Sequence, residues 1–204
     1  MTVDSLWGEI EALGPIARQA NGLPLRPETA YQARFGWGVP SRQAIRALIR
    51  FAAGRPIHEV GAGCGLWACL LKHAGARVHA SDGFSDVTNT AVSGVVSGRR
   101  PTFYFPVVRA DSAEAADRAP AHSVLLMVWP PSWNPMAAAA LAAFRGDRVA
   151  YMGEERGGVT AADDFFDLLD TRWTPVESHP VPQWALNLDK LTLYRRARRA
   201  ILRP

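Results

Sequence analysis

The sequence predicts an α/β fold: a Rossmann-like, seven-stranded, mostly parallel sheet with helices on both faces, the last strand antiparallel, and a helical extension at the N-terminus. Three observations point there. Short apolar segments alternate with helical patterns along most of the chain. The run from Ser123 to Val128 is unbroken and apolar, as in a strand buried on both faces. The connection between the last two strands is short enough for an antiparallel pair at one edge.

Residues 1–40 form the extension and 41–204 a single globular unit, a length that can bury a sizeable core. In the extension, Leu6, Ile10, Leu13 and Ile16 give an apolar stripe that Gly14-Pro15 interrupts, and Asn21 to Pro27 reads as a loop. Tyr31, Phe35 and Trp37 then bring three aromatics together before Pro40. Ser41 suits the cap of a helix whose apolar face is Ile45, Leu48, Ile49 and Ala52.

The first strand is Ile57 to Val60, followed by Gly61-Ala62-Gly63-Cys64-Gly65 and a helix from Leu66 to Ala74. Ala76 to Ala80 is the second strand, running into Ser81-Asp82-Gly83, whereas residues 86–98 read neither as strand nor as helix. Val107 to Ala110 is the third strand. Asp111 with Glu114 starts the next helix as a capping box, with Ser112 as its first residue. The fourth strand stops at Trp129-Pro130-Pro131. An alanine-rich helix, Met136 to Phe144, is followed by a strand from Arg148 to Met152. Thr160 with Asp163 reads as another capping box before a helix that turns Phe165, Phe166, Leu168 and Leu169 inward. Trp173 to Ser178 and Lys190 to Arg195 close the sheet.

Composition narrows the function. Hydrophobic residues make up 48% and charged residues 21%, a globular balance without a signature of disorder. No apolar run is long enough to span a bilayer and no signal-peptide order opens the chain, so a cytoplasmic location is expected. Two cysteines, Cys64 and Cys69, make neither a metal pair nor a disulfide framework. The net charge of +4 is concentrated in Arg195-Arg196-Ala197-Arg198-Arg199. With no aromatic interleaving, that run argues for a solvated end over nucleic-acid docking.

The glycine-rich turn carries the chemistry. A phosphate-binding P-loop needs Lys-Ser or Lys-Thr after its last glycine, where Leu66-Trp67 stands. The nicotinamide fingerprint wants its third glycine three residues after the second, and position 66 is leucine. The stretch resembles motif I of the class I S-adenosylmethionine-dependent methyltransferases, in which an acidic residue precedes Gly-x-Gly-x-Gly. Glu59, Gly61, Gly63 and Gly65 match it. The resemblance extends to Asp82, where the family binds the ribose hydroxyls, to Asp111, where it accepts from the adenine amino group, and to the closing pair of strands.

It therefore implies S-adenosyl-L-methionine as cofactor, held by Glu59, Gly61, Ala62, Gly63, Gly65, Trp67, Asp82, Gly83, Asp111, Ser112 and Trp129. The chemistry is consistent: hydroxyls and amines are donors that suit carboxylates, and a sulfonium suits aromatic faces. A small-molecule acceptor is expected among Tyr31, Phe35, Trp37, Pro130, Trp133 and Trp184, under a lid formed by the extension. The Pro-Pro turn lacks the Asp or Asn with which nucleobase amino-methyltransferases begin it. Glu154, Glu155 and His179 lie near strand ends; Glu154 and His179 are the candidate catalytic bases. The alternatives are a methyltransferase for nucleic acid or protein, or a cofactor-binding accessory protein without transfer activity.

Overall fold

The computed structural model describes residues 2–13, 28–84, 102–184 and 186–197. The expected features at residues 14–27, the segment 86–98 and the pair Arg198-Arg199 lie outside the described residues.

Helices α1 (Val3–Leu13), α2 (Glu28–Phe35) and α3 (Arg42–Ala52) precede the first strand. The sheet is built from β1 (Ile57–Val60), β2 (Val78–Asp82), β3 (Val107–Arg109), β4 (Val124–Val128), β5 (Arg148–Gly153), β6 (Trp173–Pro180) and β7 (Lys190–Arg196). Between them lie α4 (Leu66–His73), α5 (Ser112–Arg118), α6 (Met136–Ala143) and α7 (Asp163–Arg172). The strand order is β3-β2-β1-β4-β5-β7-β6. Only β7 runs against its neighbours, pairing antiparallel with both β5 and β6. Strand order therefore reverses between β1 and β4, which places a crevice at their carboxyl ends.

Two apolar layers cover the sheet. One joins α1, α2, α3 and α4 to one face through Leu6, Trp7, Tyr31, Leu48, Leu70 and Leu126. The other joins α5, α6 and α7 to the opposite face through Ala116, Leu141, Phe165, Leu125 and Met127. The N-terminal helices thus share their core with the sheet. Ser41 caps α3 as its position predicts, its Oγ accepting from the Ala44 amide at 3.0 Å.

Three local expectations differ. Strand β2 begins two residues later than its apolar run, because Gly75 and Ala76 donate to Lys72 and Leu71 and so finish α4 first. Thr160 does not cap α7. It is buried, accepts from the Glu154 amide at 2.7 Å and bonds the Tyr151 hydroxyl, while Ala162 occupies the cap position. Asp111 does cap α5, accepting from the Ala113 and Glu114 amides, but Glu114 turns to Arg118 (2.6 Å) rather than back to complete a box.

Candidate functional site

Strand β1 delivers the chain into a turn that only glycine enters without strain. Gly61, Gly63 and Gly65 have φ of 76°, 55° and 75°, in the left-handed region where a Cβ is penalised. The turn is fastened to the end of β2. Gly61 and Ala62 donate their amides to Ser81, and Gly63 donates to Asp82 Oδ2 at 2.7 Å. Phe84 donates to Asp82 Oδ1 at 2.6 Å, so the Asp82 carboxylate is held between two turns.

Glu59 lies beneath the turn, 2% exposed. Its Oε2 has no hydrogen-bond partner among the described residues. Burial pushes its pKa up to about 8; a backbone hydrogen bond from Ala68 opposes the rise and the neighbouring Asp82 charge adds to it.

These groups line a cavity of about 220 Å³ at the carboxyl ends of β1 to β4. Of the residues the sequence singled out for a cofactor, Glu59, Gly61, Ala62, Gly63, Trp67 and Asp82 border it, and so do Gly83, Asp111, Ser112 and Trp129. Gly65 does not. A Cβ at that position would press on Phe105 and Val107, so its smallness serves packing under the turn. Three carboxylates and no Lys, Arg or His line the cavity among the described residues. Such a site favours a ligand rich in donors or positive charge and disfavours phosphates.

Aromatic rings make the far wall. Trp37 and Trp129 stack with centroids 4.9 Å apart and planes 8° from parallel. Trp129 has a left-handed backbone, φ 51°, which directs its ring out of the sheet end. Its amide donates to Met152 O at 2.7 Å and its Nε1 to Asp189 Oδ1 at 3.0 Å. Asp189 is buried, and burial pushes its pKa up to about 6 despite the indole hydrogen bond that pulls it the other way. Three aromatic donors pin the segment that carries Trp37. Trp67 Nε1 and the Tyr31 hydroxyl donate to Gly38 O at 3.0 and 3.4 Å, and Trp184 Nε1 donates to Trp37 O at 3.0 Å.

Of the residues expected at a substrate, Phe35, Trp37 and Pro130 border the cavity. Tyr31 and Trp184 lie behind the wall, buried and packed edge to face at 5.2 Å. Trp133 is 62% exposed and borders a neighbouring cleft instead.

Neither expected base borders the cavity. The Glu154 carboxylate accepts from the Val159 and Leu188 amides at 2.8 and 2.9 Å. Burial works to raise its pKa, but these bonds and one from Asn187 outweigh it and lower the pKa overall. That geometry fits a carboxylate that ties two loops together, not one poised to take a proton. His179, on β6, bonds Glu177 at 3.0 Å, and Glu155 pairs with Lys190 at the surface.

Sequence reasoning missed Phe84, Asn134 and Met136 on the cavity wall, and Asp189 behind Trp129. Asn134-Pro135 before an alanine-rich run was a readable signal, since the Asn134 side chain accepts from the Met136 amide at 2.9 Å to start α6. Asp189 carried none: it meets Trp129 across 60 residues.

No protein-family model matches the sequence, and no curated protein is significantly similar to it. Solved structures do share the fold. Magnesium protoporphyrin IX methyltransferase from Synechocystis PCC 6803, solved with bound SAM, superposes at a TM-score of 0.50 with 14% identity, over 76% of this chain and 79% of that one. A protein from Pyrococcus horikoshii OT3 superposes at 0.50 with 11% identity, over 83% of this chain and 99% of that one. At these identities the likeness establishes the fold, a seven-stranded sheet of the class I methyltransferase kind.

Proposed function

We propose that the protein is an S-adenosyl-L-methionine-dependent methyltransferase acting on a small molecule. One observation carries this reading: a crevice at the strand ends brings Glu59, Asp82 and Asp111 together around a glycine turn, with no cation among the described residues that line it. Asp82 would accept from the ribose hydroxyls and Asp111 from the adenine amino group. The orphaned Oε2 of Glu59 is an acceptor at a site where the cofactor's cationic amino-acid end would be at home. When bound, the cofactor supplies an electrophilic methyl group on a sulfonium.

The chain's own contribution is placement and exclusion of water. Trp37 and Trp129 offer ring faces to a cation, and the hydrogen bonds to Gly38 hold the segment that carries Trp37 at the cavity wall. Among the described residues, neither Glu154 nor His179 borders the cavity as a base for the acceptor. The proposed rate enhancement comes from in-line positioning and desolvation, which suits an acceptor that arrives already nucleophilic. A nucleic-acid acceptor is less well supported. Of the basic C-terminal run, Arg196 lies over the Trp173 ring and donates to Phe144 and Gly146, so it is engaged in packing, while Arg195 is exposed with its guanidinium 6.0 Å from the Phe51 ring.

Calorimetry with S-adenosylmethionine and S-adenosylhomocysteine tests the proposal. The wild-type chain should bind both. Asp82→Ala and Asp111→Ala should each weaken binding about tenfold or more, the worth of a charge-assisted hydrogen bond. Unchanged affinity in both variants, or no binding by the wild type, would overturn it.

A further inference from the structure

Behind the Trp37–Trp129 stack lies a second, larger cleft of about 690 Å³. Among the described residues it shares only Trp37, Trp129 and Pro131 with the first cavity, so the stacked indoles and one proline form the partition between them. We propose that this cleft is a ligand site separate from the first cavity and that it binds a flat aromatic molecule carrying no negative charge.

Four features point to that ligand class. The volume suits a small molecule of several fused or linked rings. The rim is apolar and unusually exposed: Trp133 is 62%, Val159 52% and Leu186 102% exposed, and Leu188 beside them 74%. Large apolar side chains concentrated around one concavity mark a binding site rather than ordinary surface.

The charge pattern selects against anions. Glu154 is the one charged residue lining the cleft among the described residues, and no cation lines it. Ser132 and Asn187 leave polar groups for orienting a neutral ligand.

The site is also built in advance. The Ser132 and Ala161 amides donate to Val159 O and Pro130 O at 3.2 and 2.7 Å, and Pro131 bridges to Thr160, so the two rim loops are locked together. Glu154 clamps the third loop by accepting from Leu188. Asp189 fixes the Trp129 indole from behind. A ligand entering this cleft meets surfaces already in place, which limits the ordering cost of binding.

The test uses the full chain labelled with 15N at its seven tryptophan indoles. The probes are 2-naphthol, neutral and flat, and 2-naphthoate, an anion of nearly the same shape, each titrated with and without S-adenosylhomocysteine. The expected result is that 2-naphthol shifts the Trp133 and Trp129 indole signals while those of Trp7 and Trp173 stay fixed, and that S-adenosylhomocysteine does not compete. Binding of 2-naphthoate should be several-fold weaker. Trp133→Ala, at an exposed position, should weaken 2-naphthol about tenfold, the worth of one aromatic contact, and leave S-adenosylhomocysteine affinity unchanged.

Failure of 2-naphthol to move Trp133 and Trp129, equal binding of the anion, or an unaffected Trp133→Ala would each overturn the assigned cleft.

Discussion

Glu59 stores folding free energy that a single substitution should release. The carboxyl is buried, its pKa is pushed up to about 8, and its Oε2 has no partner among the described residues. At pH 7 the unfolded chain holds this group ionised while the folded chain holds it protonated. Folding therefore takes up a proton, and stability contributed by the protonated form falls as pH rises from the ordinary carboxylate range toward 8. By pH 7 the penalty is about 3 kcal/mol, at 1.36 kcal/mol per pH unit over that window.

Glutamine keeps the shape and offers a donor where the protonated acid has one, so Glu59→Gln should remove the penalty without opening a cavity. For a chain of this size that corresponds to a rise of about 6–12 °C in melting temperature at pH 7. The difference between variant and wild type should be near zero at pH 4 and level off above pH 8. Thermal unfolding followed by circular dichroism across that range is the assay. A pH-independent difference between the two proteins would refute the buried, protonated Glu59. The same group makes a second readout. A cationic ligand beside Oε2 should draw the proton off, so binding heats of S-adenosylmethionine at pH 7 should depend on the buffer's ionisation enthalpy in the wild type and not in Glu59→Gln.

Two further predictions concern the frame around the site. Thr160→Val removes the buried hydroxyl that serves both the Glu154 amide and the Tyr151 hydroxyl, and should cost about 1–3 kcal/mol in denaturant unfolding, with the slope unchanged. Gly38→Ala would drive a Cβ into Val128 Cγ1 beneath the cavity wall; overpacking there should cost about 1–3 kcal/mol and weaken cofactor binding by displacing Trp37.

The parts of the fold legible in the sequence are those in which one local pattern decides the outcome. The apolar run at β4 carries the mark of a strand buried on both faces, and all five of its residues but Val128 are buried. Three glycines at alternate positions after a strand read as a tight turn, and all three have positive φ. Asp111 was readable both as a helix cap and as a strand-end carboxylate, because one position does both. The capping box at Thr160 failed for a physical reason. A threonine hydroxyl serves whichever amide comes nearest, and the Glu154 amide, brought in by β5, lies closer than the start of α7.

The division between the two cavities follows the same logic. Every carboxylate of the first cavity sits at the end of its own strand in the parallel set, a place that strand order alone dictates, so its chemistry can be read one strand at a time. The second cleft is assembled from loops that meet only in three dimensions. Trp37 precedes the sheet, Trp133 follows β4, Val159 follows β5 and Leu186 lies between β6 and β7. Exposed apolar residues in loops look like ordinary surface until folding gathers them. Glu154 illustrates the consequence. By position it was a strand-end acid suited to catalysis; by contact it accepts two amides from those same loops and holds the cleft's shape. Substitution of Glu154 should therefore disturb ligand binding in the second cleft through loop position, with no pH-rate signature of a lost base, whereas substitution of Asp82 should disturb the first cavity alone.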